Sequence, residues 1–116
     1  MDTSILKKIK EEVKKYENDI LKFMREIVAI PSTDSKIGDV VQRINEEMLK
    51  LGFDEVFVDK MGNSVGRVGN GPKKIVFDSH VDTVGIADRT QWKWDPFQGK
   101  VENGILYALG AVDEKG

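Results

Sequence analysis

The sequence predicts an α/β fold, and three observations carry that reading. Apolar residues recur in steps of three and four over residues 4–30, the period of a helix with one buried stripe. A continuous apolar run, Ile75-Val76-Phe77, follows the turn-forming Gly69-Asn70-Gly71-Pro72 and reads as a buried central strand. Two more pairs of short apolar runs, separated by turns at Gly62-Asn63 and Asn103-Gly104, read as hairpins.

The first helix takes its stripe from Ile5, Ile9, Val13, Tyr16, Ile20, Met24 and Ile27. Asp2, Thr3 or Ser4 can cap its start, and Pro31 stops it at Ile30. Seven of the chain's 18 basic residues fall on it: Lys7, Lys8, Lys10, Lys14, Lys15, Lys22 and Arg25. Glu11, Glu12, Glu17, Asp19 and Glu26 are interleaved with them, so the charged face is read as solvated rather than as a membrane or nucleic-acid surface. After the polar loop at residues 31–35, a second helix runs from Gly38 or Asp39 to Leu51. Val40, Val41, Ile44, Met48 and Leu51 would point inward, and Gly52 is placed to end it.

Residues 53–59 and 64–68 read as strands joined by Lys60-Met61-Gly62-Asn63. The central strand comes third and delivers His80, the only histidine, with Asp82 two residues on. Side chains two apart share a face, so both would leave the sheet at its carboxyl edge, where open α/β sheets hold their ligands. Residues 85–98 read as a loop holding Trp92 and Trp94, with Pro96 keeping Asp95 extended. These aromatics could wall a substrate cleft or cover the sheet, and covering is favoured because buried aromatics dominate core energetics. A last hairpin, Lys100-Val101 with Ile105-Leu106-Tyr107, leads to Asp113.

With 116 residues the chain has room for one domain with a core. A net charge of −2 gives no electrostatic footprint for nucleic acid. The absence of cysteine excludes disulfides, thiolate metal ligands and a cysteine nucleophile, and fits a reducing compartment. No signal-peptide core and no run of roughly 18 apolar residues is present. The expectation is a cytoplasmic protein without membrane or nucleic-acid partners.

His-x-Asp taken alone leaves two readings open: a hydrogen-bonded structural histidine, or a metal ligand whose ring the carboxylate orients. More of the sequence points to the second. The string Phe77-Asp78-Ser79-His80-Val81-Asp82-Thr83-Val84, then Trp92-Lys93-Trp94-Asp95-Pro96-Phe97, then the ending from Gly104 to Asp113-Glu114-Lys115-Gly116 resembles one family. This is the family of zinc-dependent amidohydrolases and exopeptidases that includes acetylornithine deacetylase, succinyl-diaminopimelate desuccinylase and glutamate carboxypeptidase. The wording around His80, with Val84-Gly85 and Trp94-Asp95-Pro96-Phe97, is nearest to its selenium-metabolism hydrolase branch. The resemblance covers essentially the whole chain.

By this resemblance His80 ligates one metal, Asp82 orients its imidazole as part of the catalytic machinery, and Asp113 bridges two metals. It also implies a cis peptide between Asp113 and Glu114. Zinc accepts imidazole nitrogen and carboxylate oxygen, as cobalt or manganese also can. Two such ions about 3.5–4 Å apart activate a water and polarise an amide carbonyl. The fold implied is the N-terminal part of a three-layer zinc-exopeptidase-like catalytic domain, a mixed sheet with flanking helices. Its substrate would be a small-molecule amide or a peptide.

Two departures stand out. Ala108-Leu109-Gly110 occupies the place of the family's Gly-Arg-Gly, which removes an arginine donor fork near the site. The family's glutamate base, its remaining ligands and its inserted dimerisation domain have no counterpart within these residues. The expectation is therefore that residues 1–116 form a partial catalytic domain, inactive as an isolated chain. The alternative is a non-enzymatic truncated α/β module that binds metal weakly or self-associates through exposed sheet edges.

Overall fold

The computed structural model describes residues 3–116. Three helices precede two hairpins: α1 (Thr3–Lys15), α2 (Glu17–Ala29), α3 (Gly38–Lys50), then β1 (Glu55–Val58) with β2 (Ser64–Arg67), and β3 (Lys100–Glu102) with β4 (Ile105–Tyr107). A short 3-10 turn at Arg89–Gln91 interrupts the long loop between the hairpins. The α/β class stands. The strands form two separate antiparallel pairs rather than one mixed sheet.

The helix expected over residues 4–30 is two helices. At Tyr16 the backbone turns to φ −96° and ψ 5°, and the Tyr16 N–H bonds back three residues to the Val13 carbonyl at 3.0 Å. Glu17 and Asp19, in the first turn beyond, favour a fresh helix N-terminus. Of the proposed caps Asp2 lies outside the described residues, and Thr3 is already helical. The apolar stripe is only partly used. No residue of α1 is buried, while α2 buries Ile27 and Val28.

The third helix, α3, ends as its sequence foretells. Gly52 has φ +77°, its N–H bonds to the Leu49 carbonyl at 3.1 Å, and the Phe53 N–H reaches the Met48 carbonyl at 3.1 Å. Those two bonds make the paired Schellman closure that a left-handed glycine permits. Val40 and Val41 are buried as expected, but Leu51, read as inward, lies exposed past the last turn. Arg43 ties α3 to α2, pairing with Glu26 at 2.5 Å and Glu47 at 2.6 Å while its guanidinium lies 4.9 Å from the Phe23 ring centre. The Arg43 hydrogen bond is the main force that holds the Glu47 carboxyl below its ordinary range.

The first hairpin sets Val58 opposite Ser64 and packs on α3. Its connection is closed by Asp59, whose carboxylate accepts from the Met61 and Asn63 N–H groups. In the second hairpin Glu102 faces Ile105, and Asn103 and Gly104 both have positive φ, 53° and 76°. That is the primed two-residue turn Asn-Gly favours. Trp94 covers this hairpin, its ring centre 4.4 Å from Tyr107 and the Lys100 ammonium 4.4 Å away.

The expected central strand is not formed. Residues 71–80 carry no strand, and Phe77 is 94% exposed. A strand needs a neighbour to receive its backbone groups, and no other described segment lies beside this one to pair with it. The core sits instead where α2 and α3 meet the last loop: Ile27, Val28, Val40, Val41, Leu109 and Pro96.

Candidate metal centre

The end of α2 holds the centre together. Helix C-termini leave carbonyls without intrahelical partners. Here Lys115 supplies the donor, its ammonium reaching the Ile30 carbonyl at 2.7 Å and the Ile27 carbonyl at 3.1 Å. That anchors the segment carrying Asp113 to α2. The burial that allows this pushes the Lys115 ammonium below its ordinary pKa.

The segment carrying His80 hangs on the next residues of the same joint. Ser32, fully buried, donates its hydroxyl to the Val81 carbonyl at 2.7 Å. Its own carbonyl accepts the Thr83 N–H at 3.0 Å. The two segments also touch directly. The Ser79 hydroxyl donates to the Glu114 carbonyl at 3.0 Å, and Gly110, at φ +75°, leaves only 2.6 Å between an ideal Cβ and the Thr83 methyl. The Thr83 hydroxyl is buried there with no hydrogen-bond partner among the described residues.

This scaffold brings His80, Asp82 and Asp113 together. His80 Nε2 lies 3.0 Å from Asp113 Oδ1, across 33 positions of sequence. His80 Nδ1 lies 3.0 Å from the main-chain carbonyl of Asp82 and 3.4 Å from its carboxylate. The ring is thus oriented first by the Asp82 backbone and only second by its side chain. The Asp113–Glu114 peptide is cis. Leu109, standing where an arginine was expected, is buried.

The donor pattern is specific. A carbonyl only accepts, so Nδ1 must carry a hydrogen. Nε2 then faces a carboxylate oxygen, and two lone pairs at 3.0 Å need a positive charge between them: a second proton or a metal ion. With zinc bonds of about 2.0–2.2 Å, two tetrahedral ligands stand roughly 3.4 Å apart, so a cation shared by these atoms needs only a small widening. His80 and Asp113 therefore fit a metal as a donor pair. Among the described residues no group of three His, Cys, Asp or Glu side chains is placed to enclose one.

With a proton in that position, the His80 pKa is raised above its ordinary 6.5. The Asp82 carbonyl is the largest cause, followed by the hydrogen bond and charge of Asp113, with desolvation opposing. A raised folded pKa stabilises fully below the unfolded value and is lost as pH climbs through the folded one. The His80–Asp113 pair thus contributes below about pH 6.5 and fades above it. A proton–carbon NMR titration is expected to put the His80 midpoint above 6.5, and Asp113→Asn is expected to move it down. A midpoint unmoved by that substitution would separate the two groups in solution.

Ser32, Ser79, Gly110 and Lys115 carry this geometry and were not legible as site residues. Lys115 sits 85 positions from the carbonyl it caps, so no local pattern announces it.

Comparison with known proteins places residues 76–116, the stretch that holds all three site residues, in a match to the family described as peptidase family M20/M25/M40. The chain is 43% identical over 110 residues to the uncharacterized protein YgeY of Escherichia coli K12, covering 95% of this chain and 27% of that protein. It is 31% identical over 106 residues to succinyl-diaminopimelate desuccinylase of Ehrlichia canis, covering 84% of this chain and 27% of the enzyme. The desuccinylase of Afipia carboxidovorans is 34% identical over 103 residues, with 83% and 27% covered. The chain spans roughly a quarter of the length of these curated relatives. Through the segment that carries His80, Asp82 and Asp113, the chain matches peptidase family M20/M25/M40, and over most of its length it is similar to the desuccinylases.

Proposed function

We infer that this chain is the metal-site portion of a hydrolase catalytic domain that cleaves an amide or peptide-type C–N bond. The observation that carries the reading is the 3.0 Å approach of His80 Nε2 to Asp113 Oδ1. The desuccinylase relatives support an N-acyl amino acid as the substrate class. His80 and Asp113 would hold the metal, zinc by its affinity for such donors, with cobalt or manganese as alternatives. A bound ion would polarise the scissile carbonyl and bring the pKa of a water to about 7.

The chain's own residues do the positioning. Asp82 holds the proton on Nδ1 through its carbonyl, which leaves Nε2 as the ligating atom. Lys115 and Ser32 fix the two ligand-bearing segments to one helix end. A third ligand and a general base are not assembled among the described residues, so turnover needs groups from the rest of a relative-sized protein.

A chimera tests the proposal. The matched N-terminal portion of the Ehrlichia canis desuccinylase is replaced by this chain, and chelator-sensitive hydrolysis of an N-succinyl amino acid is measured. Activity is expected, and His80→Ala or Asp113→Asn is expected to lower it by at least about 100-fold, the scale of losing a metal ligand. Full activity in either variant would refute the assignment. The isolated chain is expected to be inactive and to bind zinc weakly in titration calorimetry. Any such signal should vanish in His80→Ala.

The second reading is a non-enzymatic α/β module. The exposure of Ile75, Val76 and Phe77 favours it, since such a run invites pairing with another chain.

A further inference from the structure

Asparagine is chemically labile where the next main-chain nitrogen can reach its side-chain carbonyl carbon, and a following glycine, without a Cβ, obstructs that approach least. Asn70 and Asn103 both precede glycine. The structure treats them differently. We propose that Asn70 is a site of spontaneous conversion to aspartate and isoaspartate, while Asn103 is protected by its turn. The hydrolase reading plays no part in this.

Asn70 lies in the loop that follows β2, and it is exposed. The start of that loop is fastened to the first hairpin. The Gly69 N–H donates to the Asp54 carboxylate at 2.6 Å, and the Gly69 carbonyl accepts from Arg67. Beyond Gly69 the fastening stops. Neither the Asn70 side chain nor the Gly71 N–H has a hydrogen-bond partner among the described residues. Attack needs the side chain and the following peptide to rotate toward each other, and here nothing opposes that rotation. The other asparagines are held. Asn103 heads the primed turn, with Glu102 and Ile105 paired immediately on either side of Asn103-Gly104. The Asn63 amide donates to Asp59 at 2.9 Å, the Asn45 oxygen accepts the Ser64 hydroxyl at 2.5 Å, and Asn18 lies within α2.

The step balances within the chain and the solvent. Base removes the Gly71 N–H proton, the nitrogen bonds to Asn70 Cγ, and the Cγ–Nδ2 bond breaks to release ammonia. Water then opens the resulting succinimide at either of its carbonyls. One opening leaves aspartate. The other leaves isoaspartate, in which the main chain runs through the former side chain. Either product adds a negative charge next to Gly69, whose N–H the Asp54 carboxylate already holds.

Ageing the intact 116-residue chain in mildly alkaline buffer tests the proposal. Trypsin places the two Asn-Gly sites in separate peptides, residues 68–73 and 101–115, read by mass spectrometry and by labelling with an isoaspartyl methyltransferase. In the folded chain Asn70 is expected to convert at least about tenfold faster than Asn103, and the two rates should converge in denaturant. Equal rates in the folded chain, or faster conversion at Asn103, would overturn the proposal. Rates that stay apart in denaturant would refute protection by the turn. Gly71→Val tests the attacking atom. A Cβ at Gly71 meets nothing within 4 Å and the backbone there has no positive φ, so the branched side chain fits while shielding the nitrogen. Conversion at Asn70 is expected to fall at least about tenfold with the melting temperature unchanged. An unchanged rate in that variant would refute attack by the Gly71 nitrogen.

Discussion

Val28→Asp is expected to unfold the chain. Val28 has 0% of its surface exposed and sits where α2 meets α3 and the loop that ends at Leu109. An aspartate there must either bury a charge or take up a proton at a cost of several pKa units. The loss should reach about 4 kcal/mol or more, comparable with the whole stability of a small domain, which is 5–15 kcal/mol. Few apolar residues are buried here, so no second cluster can absorb the damage. The far-ultraviolet circular dichroism melt should lose its cooperative transition. Val28→Ala removes only two methyl groups and is expected to cost about 2 kcal/mol, or roughly 8–10 °C in melting temperature. Val68→Asp is the matched control, since Val68 is 73% exposed and should tolerate the charge. A cooperative melt in Val28→Asp at the parent temperature would show that the core lies elsewhere.

The second large effect belongs to Gly110→Val, where two costs coincide. A backbone at φ +75° is one that a β-branched residue resists, at about 1–2 kcal/mol. The added Cβ would also lie 2.6 Å from the Thr83 methyl, an overlap that must push the segments apart at about 1–3 kcal/mol more. Their sum, roughly 2–5 kcal/mol, falls where the segments carrying His80 and Asp113 are in contact. The distance between His80 Nε2 and Asp113 Oδ1 should therefore open, and the His80 titration midpoint should fall back toward 6.5 even in molecules that stay folded. Val112→Ala, an exposed change on the same segment, should leave both readings unaltered. A Gly110→Val variant that melts normally and keeps its raised His80 midpoint would contradict the packing described here.

The parts legible in the sequence are those whose cause is local. Gly52, Asn103 and Gly104 announce their turns because the positive φ they adopt excludes most other residues. The H-x-D spacing points to the Asp82 carboxylate as the group that orients His80, whereas the ring is held first by the Asp82 main-chain carbonyl, which any residue at that position would offer. The misreadings concern partners far along the chain. The stripe from Ile5 to Ile20 has helical period, yet period says nothing about what lies opposite, and α1 buries no side chain. The run from Ile75 to Phe77 has strand composition, but composition does not supply the neighbouring strand. Leu51 follows the helical stripe in sequence and falls one position past the helix that would have turned it inward. Lys115 was invisible for the same reason, since its purpose is set by carbonyls 85 and 88 positions away.

Because Ser32, in the loop just past α2, holds the His80 segment while Lys115 holds the Asp113 segment to carbonyls at the end of that helix, the two halves of the centre ride on a shared mount. Tilting that helix carries imidazole and carboxylate along together instead of prising them open.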